Sequence, residues 1–188
     1  MLQTYQGNEP YIFISYAHKD SDQVLPIIES FMDRGFRVWY DDSIEAGKEW
    51  REDIADRIVS CSVMIVFLSP NYVDSRNCKR EVLFAEAEEK DMFVAQLEEA
   101  TLTPGMRMTL GGIQHKFAWN YPDMEAFIEE LCSAQIVQPC LGTAPRKSAS
   151  AMKKTTSPAV KTPAVFVEIR GSFLAIADII QYNQGNEI

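Results

Sequence analysis

Apolar residues change their spacing several times along this chain, and each change marks an element. Tyr11-Ile-Phe-Ile-Ser-Tyr16 is a short apolar run rich in aromatic and β-branched residues, which predicts a buried strand. Asp20, Ser21 and Asp22 then offer helix N-caps, Val24, Ile27, Ile28 and Phe31 follow at helical spacing, and Gly35 stops the helix. Phe36 to Asp41 predicts a second strand. A polar loop, Asp42 to Lys48, leads into a helix carrying Trp50, Ile54 and Ile58 on one face. Ser62-Val-Met-Ile-Val-Phe-Leu-Ser69 is almost continuously apolar, as a central parallel strand buried on both faces must be, and Pro70 ends it. Asp74 or Ser75 caps a long helix to about Lys90, with Cys78, Val82 and Ala85 facing inward. Met92 to Leu97 predicts a fourth strand. Thr103-Pro104 opens a short helix that fails at Gly111-Gly112, Lys116 to Trp119 reads as a last strand, and Met124, Phe127, Ile128 and Leu131 define a final helix. Strands alternating with helices give an α/β class: an open parallel sheet, right-handed crossovers, helices on both faces.

The pattern breaks at Ala134. Residues 134–164 carry Pro139, Pro145, Pro158 and Pro163, five Lys/Arg and no acid, the composition of a flexible basic linker. In residues 165–188, Val165, Val167 and Ile169 alternate as in a strand, and Phe173, Ile176, Ala177 and Ile180 follow at helix-like spacing. So short a segment buries no core of its own. It docks on the main domain, pairs with another chain, or is the stub of a lost domain. The expected organisation is a lead at 1–10, a domain at 11–133, a linker at 134–164 and a C-terminal segment at 165–188.

Charge narrows the function. Residues 1–133 hold 12 Lys/Arg against 24 Asp/Glu, whereas residues 134–188 hold 6 against 3. An acidic main domain argues against nucleic-acid binding, which wants a basic face. No stretch of about 18 uncharged apolar residues exists to span a membrane, and Met1 to Pro10 lacks the basic and apolar regions of an export signal. A cytoplasmic protein is expected. Cys61, Cys78, Cys132 and Cys140 form no C-x-x-C pair and read as reduced thiols. His18 and His115 are far apart and complete no zinc ligand set, so no metal is expected.

Ligands of open α/β sheets bind at the carboxyl ends of the strands. One carboxylate, Glu81, falls near the start of a helix that follows a buried strand. By spacing alone it reads as a solvated helix charge, like Glu86, Glu88 and Glu89.

Three blocks in order change that reading. Phe13-Ile-Ser-Tyr-Ala-His-Lys-Asp20, Val38-Trp-Tyr-Asp-Asp-Ser-Ile-Glu-Ala-Gly-Lys48 and Ser75-Arg-Asn-Cys-Lys-Arg-Glu81 resemble the boxes of the Toll/interleukin-1 receptor (TIR) domain family in its bacterial form. The resemblance covers roughly residues 9–133 and implies a flavodoxin-like sheet of about five strands. It implies either of two functions: an enzyme that cleaves NAD+ at the nicotinamide–ribose bond, giving ADP-ribose or a cyclic or derived signal, often in anti-phage defence, or a non-catalytic adaptor that binds other TIR domains. NAD+ is then substrate, with no cofactor required.

In the enzymatic reading Glu81 aligns with the catalytic glutamate. Ser15, Tyr16, Ala17 and His18 form the loop that touches the nucleotide, Asp41 lies at the end of the second box, and Ser75 and Cys78 match the glutamate's own motif. Ser43, Ile44, Glu45, Ala46, Gly47 and Lys48 correspond to the BB loop, which in several members crosses into a neighbouring protomer. Tyr16 and Phe13 are equally well explained by core packing, Ser75 by a helix cap, Cys78 by a small core residue, and the Glu45–Lys48 stretch by an ordinary turn. Trp39 is expected in the sheet. One departure stands out: many active members carry an aromatic residue four positions before the glutamate, and here that residue is Asn77. A receiver-like module shares this topology but needs acids clustered after the first strand, and Ser15-Tyr16-Ala17 supplies none.

Overall fold

The computed structural model describes residues 3–41 and 48–142, the side chains of 48–50 excepted. Its strands are β1 (Ile12–Ser15), β2 (Val38–Tyr40), β3 (Val63–Leu68), β4 (Met92–Gln96) and β5 (His115–Phe117). All pair in parallel, in the order β2-β1-β3-β4-β5, the flavodoxin-like arrangement. The α/β class is therefore as expected. Every residue of β1 and β3 is buried, as two central strands covered on both faces require.

Among the described residues there are six α-helices: α1 (Ser21–Asp33), α2 (Lys48–Ser60), α3 (Pro70–Asp74), α4 (Arg76–Ala87), α5 (Pro104–Leu110) and α6 (Met124–Ser133). Alternate strand residues feed two separate cores. Ile12, Ile14, Val63, Ile65 and Phe67 meet Val24, Ile27 and Phe31 of α1 and Phe127 and Leu131 of α6. Phe13, Met64, Val66 and Leu68 meet Ile54 and Ile58 of α2, Val82 and Ala85 of α4 and Leu110 of α5. Phe13 stacks on Trp39, ring centres 4.9 Å apart, so both belong to the core of the sheet.

Several boundaries differ from the sequence reading, each for a local reason. Pro70 ends β3 but also begins α3. Ser69 caps that helix by accepting from the Tyr72 N–H, and proline suits the first helical position because no partner for its missing N–H is needed there. Helix α4 stops at Ala87 rather than near Lys90, and the chain reverses through Glu89 at a positive φ of 52°. Strand β5 ends at Phe117, and Trp119 sits in a 3₁₀ turn, Ala118–Asn120.

The expected linker boundary at 134 also moves. Gln135–Cys140 forms a 3₁₀ turn that buries Val137 and Cys140 in the first core, and Leu141 bridges to Phe36. The Arg37 guanidinium donates to the carbonyls of Pro139 and Leu141. Gly35, at φ 92°, takes a backbone conformation L side chains rarely adopt and accepts from the Gly142 N–H. The prolines and lost amphipathic period made this segment read as linker; two buried side chains and satisfied carbonyls make it part of the domain. The remainder of the expected linker and the C-terminal segment, residues 143–188, lie outside the described residues.

Candidate active site

The topology puts the site between β1 and β3. These neighbouring strands send their following helices, α1 and α4, to opposite faces of the sheet, and the split opens a crevice at their carboxyl ends. Ser15 closes β1 at this point, and Ser69 follows β3.

Helix α4 delivers the carboxylate. Ser75 caps it, its Oγ accepting from the Cys78 N–H at 3.2 Å. Cys78, Val82 and Ala85 form the buried stripe. Glu81, three residues after Cys78 and four before Ala85, lies on the flank of that stripe rather than on the solvent side. Its Oε2 accepts a 2.6 Å hydrogen bond from Ser15 Oγ. The Ser15 hydroxyl is in turn 2.7 Å from the phenol of Tyr72, which is fully buried. Burial raises the Glu81 carboxyl to about 7; the Ser15 hydrogen bond opposes this, Asp41 adds to it and His18 subtracts from it. Glu86, Glu88 and Glu89, the acids from which spacing could not separate Glu81, are all exposed.

The loop after β1 forms the facing wall. His18 Nε2 lies 3.6 Å from Asp41 Oδ2, and Asp41 holds the imidazole pKa above its ordinary value. Tyr16 donates its phenol proton to the Asp41 carbonyl. Asp20 is buried and accepts from Ser69 Oγ at 2.5 Å and Asn71 Nδ2 at 2.6 Å, joining the loop after β1 to the start of α3. These groups surround a cleft of about 290 Å³. Tyr16, Ala17, His18, Asp41, Ser75, Cys78 and Glu81 all line it, with Lys19, Asn71 and Asn77 at its walls. Glu81 and Asn77 also border a second, more apolar groove of about 480 Å³ between α2 and α4.

Seven of the residues singled out in the sequence thus converge. Ser15 is the exception: it lies beneath Glu81, 1% exposed, with its hydroxyl engaged by protein on both sides. It supports the carboxylate and does not line the cleft. Cys78 is buried and its thiol is pushed up to about 12 by burial and by Glu81, which suits a core residue. Ser43 to Gly47 lie outside the described residues; Lys48 opens α2, and nothing is described of its side chain. Sequence reasoning missed Tyr72, Asp20 as an inter-loop tie, and Asn71. Asp20 read as a helix cap, yet as N-cap of α1 its side chain makes no cap bond. Nothing in the sequence marked Tyr72.

Comparison with known proteins gives one family. The family model for the TIR domain matches residues 12–132. No curated protein matches the chain. Among solved structures, it is similar to a CMP N-glycosidase of Clostridium botulinum, at 17% identity over 64% of this chain and 96% of that one, with a TM-score of 0.47. A TIR domain of a Toll-related receptor from Hydra magnipapillata matches at 18% identity over 55% of this chain and 82% of that one, TM-score 0.45. A 2-desoxiribosyltransferase from Leishmania mexicana matches at 18% identity over 67% and 99%, TM-score 0.44.

Proposed function

The chain belongs to the TIR-domain family, and from that premise we propose that it is an NAD+ glycohydrolase or ADP-ribosyl cyclase with Glu81 as its essential carboxylate. The observation that carries this reading is the Glu81 carboxylate held by Ser15 at the edge of the cleft between β1 and β3. NAD+ enters with its ribose over Glu81. The bond between the ribose anomeric carbon and the pyridinium nitrogen breaks, and its electron pair neutralises the nicotinamide, which leaves. The sugar becomes oxocarbenium-like, and the ionised Glu81 stabilises that developing charge. Water then adds to the anomeric carbon and loses a proton, giving ADP-ribose; attack by a group of the substrate's own adenine gives a cyclic product. Because the leaving group is already cationic, no second acid is needed to protonate it. The approaching pyridinium also favours the ionised form of Glu81, whose carboxyl otherwise titrates at about 7.

Self-association through the stretch from Ser43 to Lys48 belongs to the same proposal. A signalling or anti-phage role and a cytoplasmic site of action rest on family membership, and among the described residues no helix is long and apolar enough to cross a membrane. Incubation of the full chain with NAD+, with products separated by mass, tests the reading: nicotinamide release that vanishes in Glu81→Gln is expected, and intact NAD+ at high protein concentration overturns it. A second reading, a non-catalytic adaptor, draws on one observation. Asn77 and the exposed Leu83 open an apolar groove beside the site where an aromatic residue would otherwise stand. It requires partner binding that survives Glu81→Gln and is lost on mutating Glu45 to Lys48.

A further inference from the structure

Among the described residues Tyr72 is the largest fully buried side chain, and its phenol oxygen has partners on two sides. It lies 2.7 Å from Ser15 Oγ and 3.5 Å from the Cys78 carbonyl. We propose that Tyr72 is a positioning residue of this site: its hydroxyl fixes the direction in which Ser15 donates, and through Ser15 it fixes the orientation and charge of Glu81. The inference rests on the reading of Glu81 as the working carboxylate.

The geometry allows two directions of donation along the chain of three groups. In the first, Tyr72 donates to Ser15 and Ser15 donates to Glu81, which must then accept and is ionised. In the second, a protonated Glu81 donates to Ser15, Ser15 donates to Tyr72, and Tyr72 must find an acceptor of its own. The acceptor within reach is the Cys78 carbonyl, at 3.5 Å the outer limit of a hydrogen bond. Both directions share the two short contacts, 2.7 and 2.6 Å; only the second also needs the long contact to Cys78, so the first is favoured. Tyr72 thus biases a partly buried carboxyl toward its ionised form against the burial that raises it. Among the described residues, the other groups that act on Glu81 or pack beside it are His18 and Asp41 across the cleft and Cys78 on α4, while Arg51 of α2 and Arg80 of α4 line the second groove that Glu81 borders. Of these, His18 acts with Tyr72 and Asp41 acts against it. The phenol itself is held far above its ordinary range, first by burial, so it stays a proton donor at every working pH.

The test titrates Glu81 without substrate. Carbon-13 resonances of labelled glutamate carboxyls are followed against pH in the full chain, and Glu81 is assigned by its absence in Glu81→Gln. Ser15→Ala is expected to raise the Glu81 midpoint by about one pH unit, the scale of a hydrogen bond to a charged acceptor. Tyr72→Phe keeps the ring and the packing and is expected to raise it by about half as much. Ser15→Thr, which retains the hydroxyl, restores the wild-type midpoint. The acid limb of nicotinamide release should move with the titration, with KM for NAD+ little changed. A Tyr72→Phe protein that folds and titrates as wild type overturns the inference and leaves Tyr72 a packing residue. If Tyr72→Phe does not fold, an unchanged midpoint in Ser15→Ala overturns it instead. If the midpoints move as expected but no protein, wild type included, releases nicotinamide, the chain of donors stands and the enzymatic reading falls.

Discussion

Asp20 Oδ2 lies 2.5 Å from the hydroxyl of Ser69, so a residue just after β1 is tied to the residue just after β3. Asn71 completes the tie at the other carboxylate oxygen. The two walls of the cleft come from these two segments, and Asp20 is a direct polar link between them, beside the Ser15–Tyr72 contact. Asp20→Ala removes the acceptor and leaves Ser69 and Asn71 without it, at a cost of about 2–3 kcal/mol. Urea unfolding should show that loss, and Asp20→Asn, which retains one acceptor oxygen, should show less of it.

Glu81 links pH to stability. Its carboxyl is raised in the folded state to about 7, from an ordinary value of 4.5. The unfolded chain therefore releases this proton first as pH rises. The stability tied to the protonated form is fully present below the unfolded value and is lost as pH climbs through about 7, by about 3 kcal/mol at most. Glu81→Gln cannot ionise. The expected result is that wild type and Glu81→Gln differ little in unfolding free energy at pH 4, while Glu81→Gln gains on wild type by pH 8. A constant difference across that range contradicts the burial of the carboxyl.

Asn77 bears on catalysis. It stands exposed at the junction of the two grooves, one turn before Glu81. An aromatic ring there would stack on a planar pyridinium, a contact of about 0.5–1.5 kcal/mol. Asn77→Trp is therefore expected to raise kcat/KM for NAD+ roughly 2- to 10-fold, with no effect in the Glu81→Gln background. Steady-state kinetics on the two single variants and the double variant check it.

The end of the domain offers a different measurement. Val137 and Cys140 are fully buried, and Arg37 holds the carbonyls around them. A chain ending at Ser133 loses both side chains from the core and should unfold about 3–5 kcal/mol more easily than one ending at Gly142. Thermal melts of the two truncations check this, with Arg37→Met in the longer one expected to fall between them.

By itself the sequence determined the layers. Continuous apolar runs at β1 and β3 could be buried only in the middle of a sheet, and the helical spacing of Val24 to Phe31 and of Cys78 to Ala85 determined which faces α1 and α4 turn inward. Three ordered blocks were enough to name the family and to single out Glu81. What the sequence carries is periodicity, and periodicity is a property of one element at a time. The surroundings of Glu81 are made by four separated stretches, Ser15 to His18, Asp41, Tyr72 and α4, and only tertiary packing brings them together. Hence a carboxylate that by spacing reads as a solvated helix charge is raised toward neutrality by burial, and Ser15, expected on the loop that touches the nucleotide, lies beneath the carboxylate it holds. For the same reason an unmarked tyrosine became part of the site. The Ala134–Gly142 segment makes the same point at the chain's other end: its composition is that of a linker, and its partner, Arg37, is a hundred residues away in sequence and within hydrogen-bond reach in space.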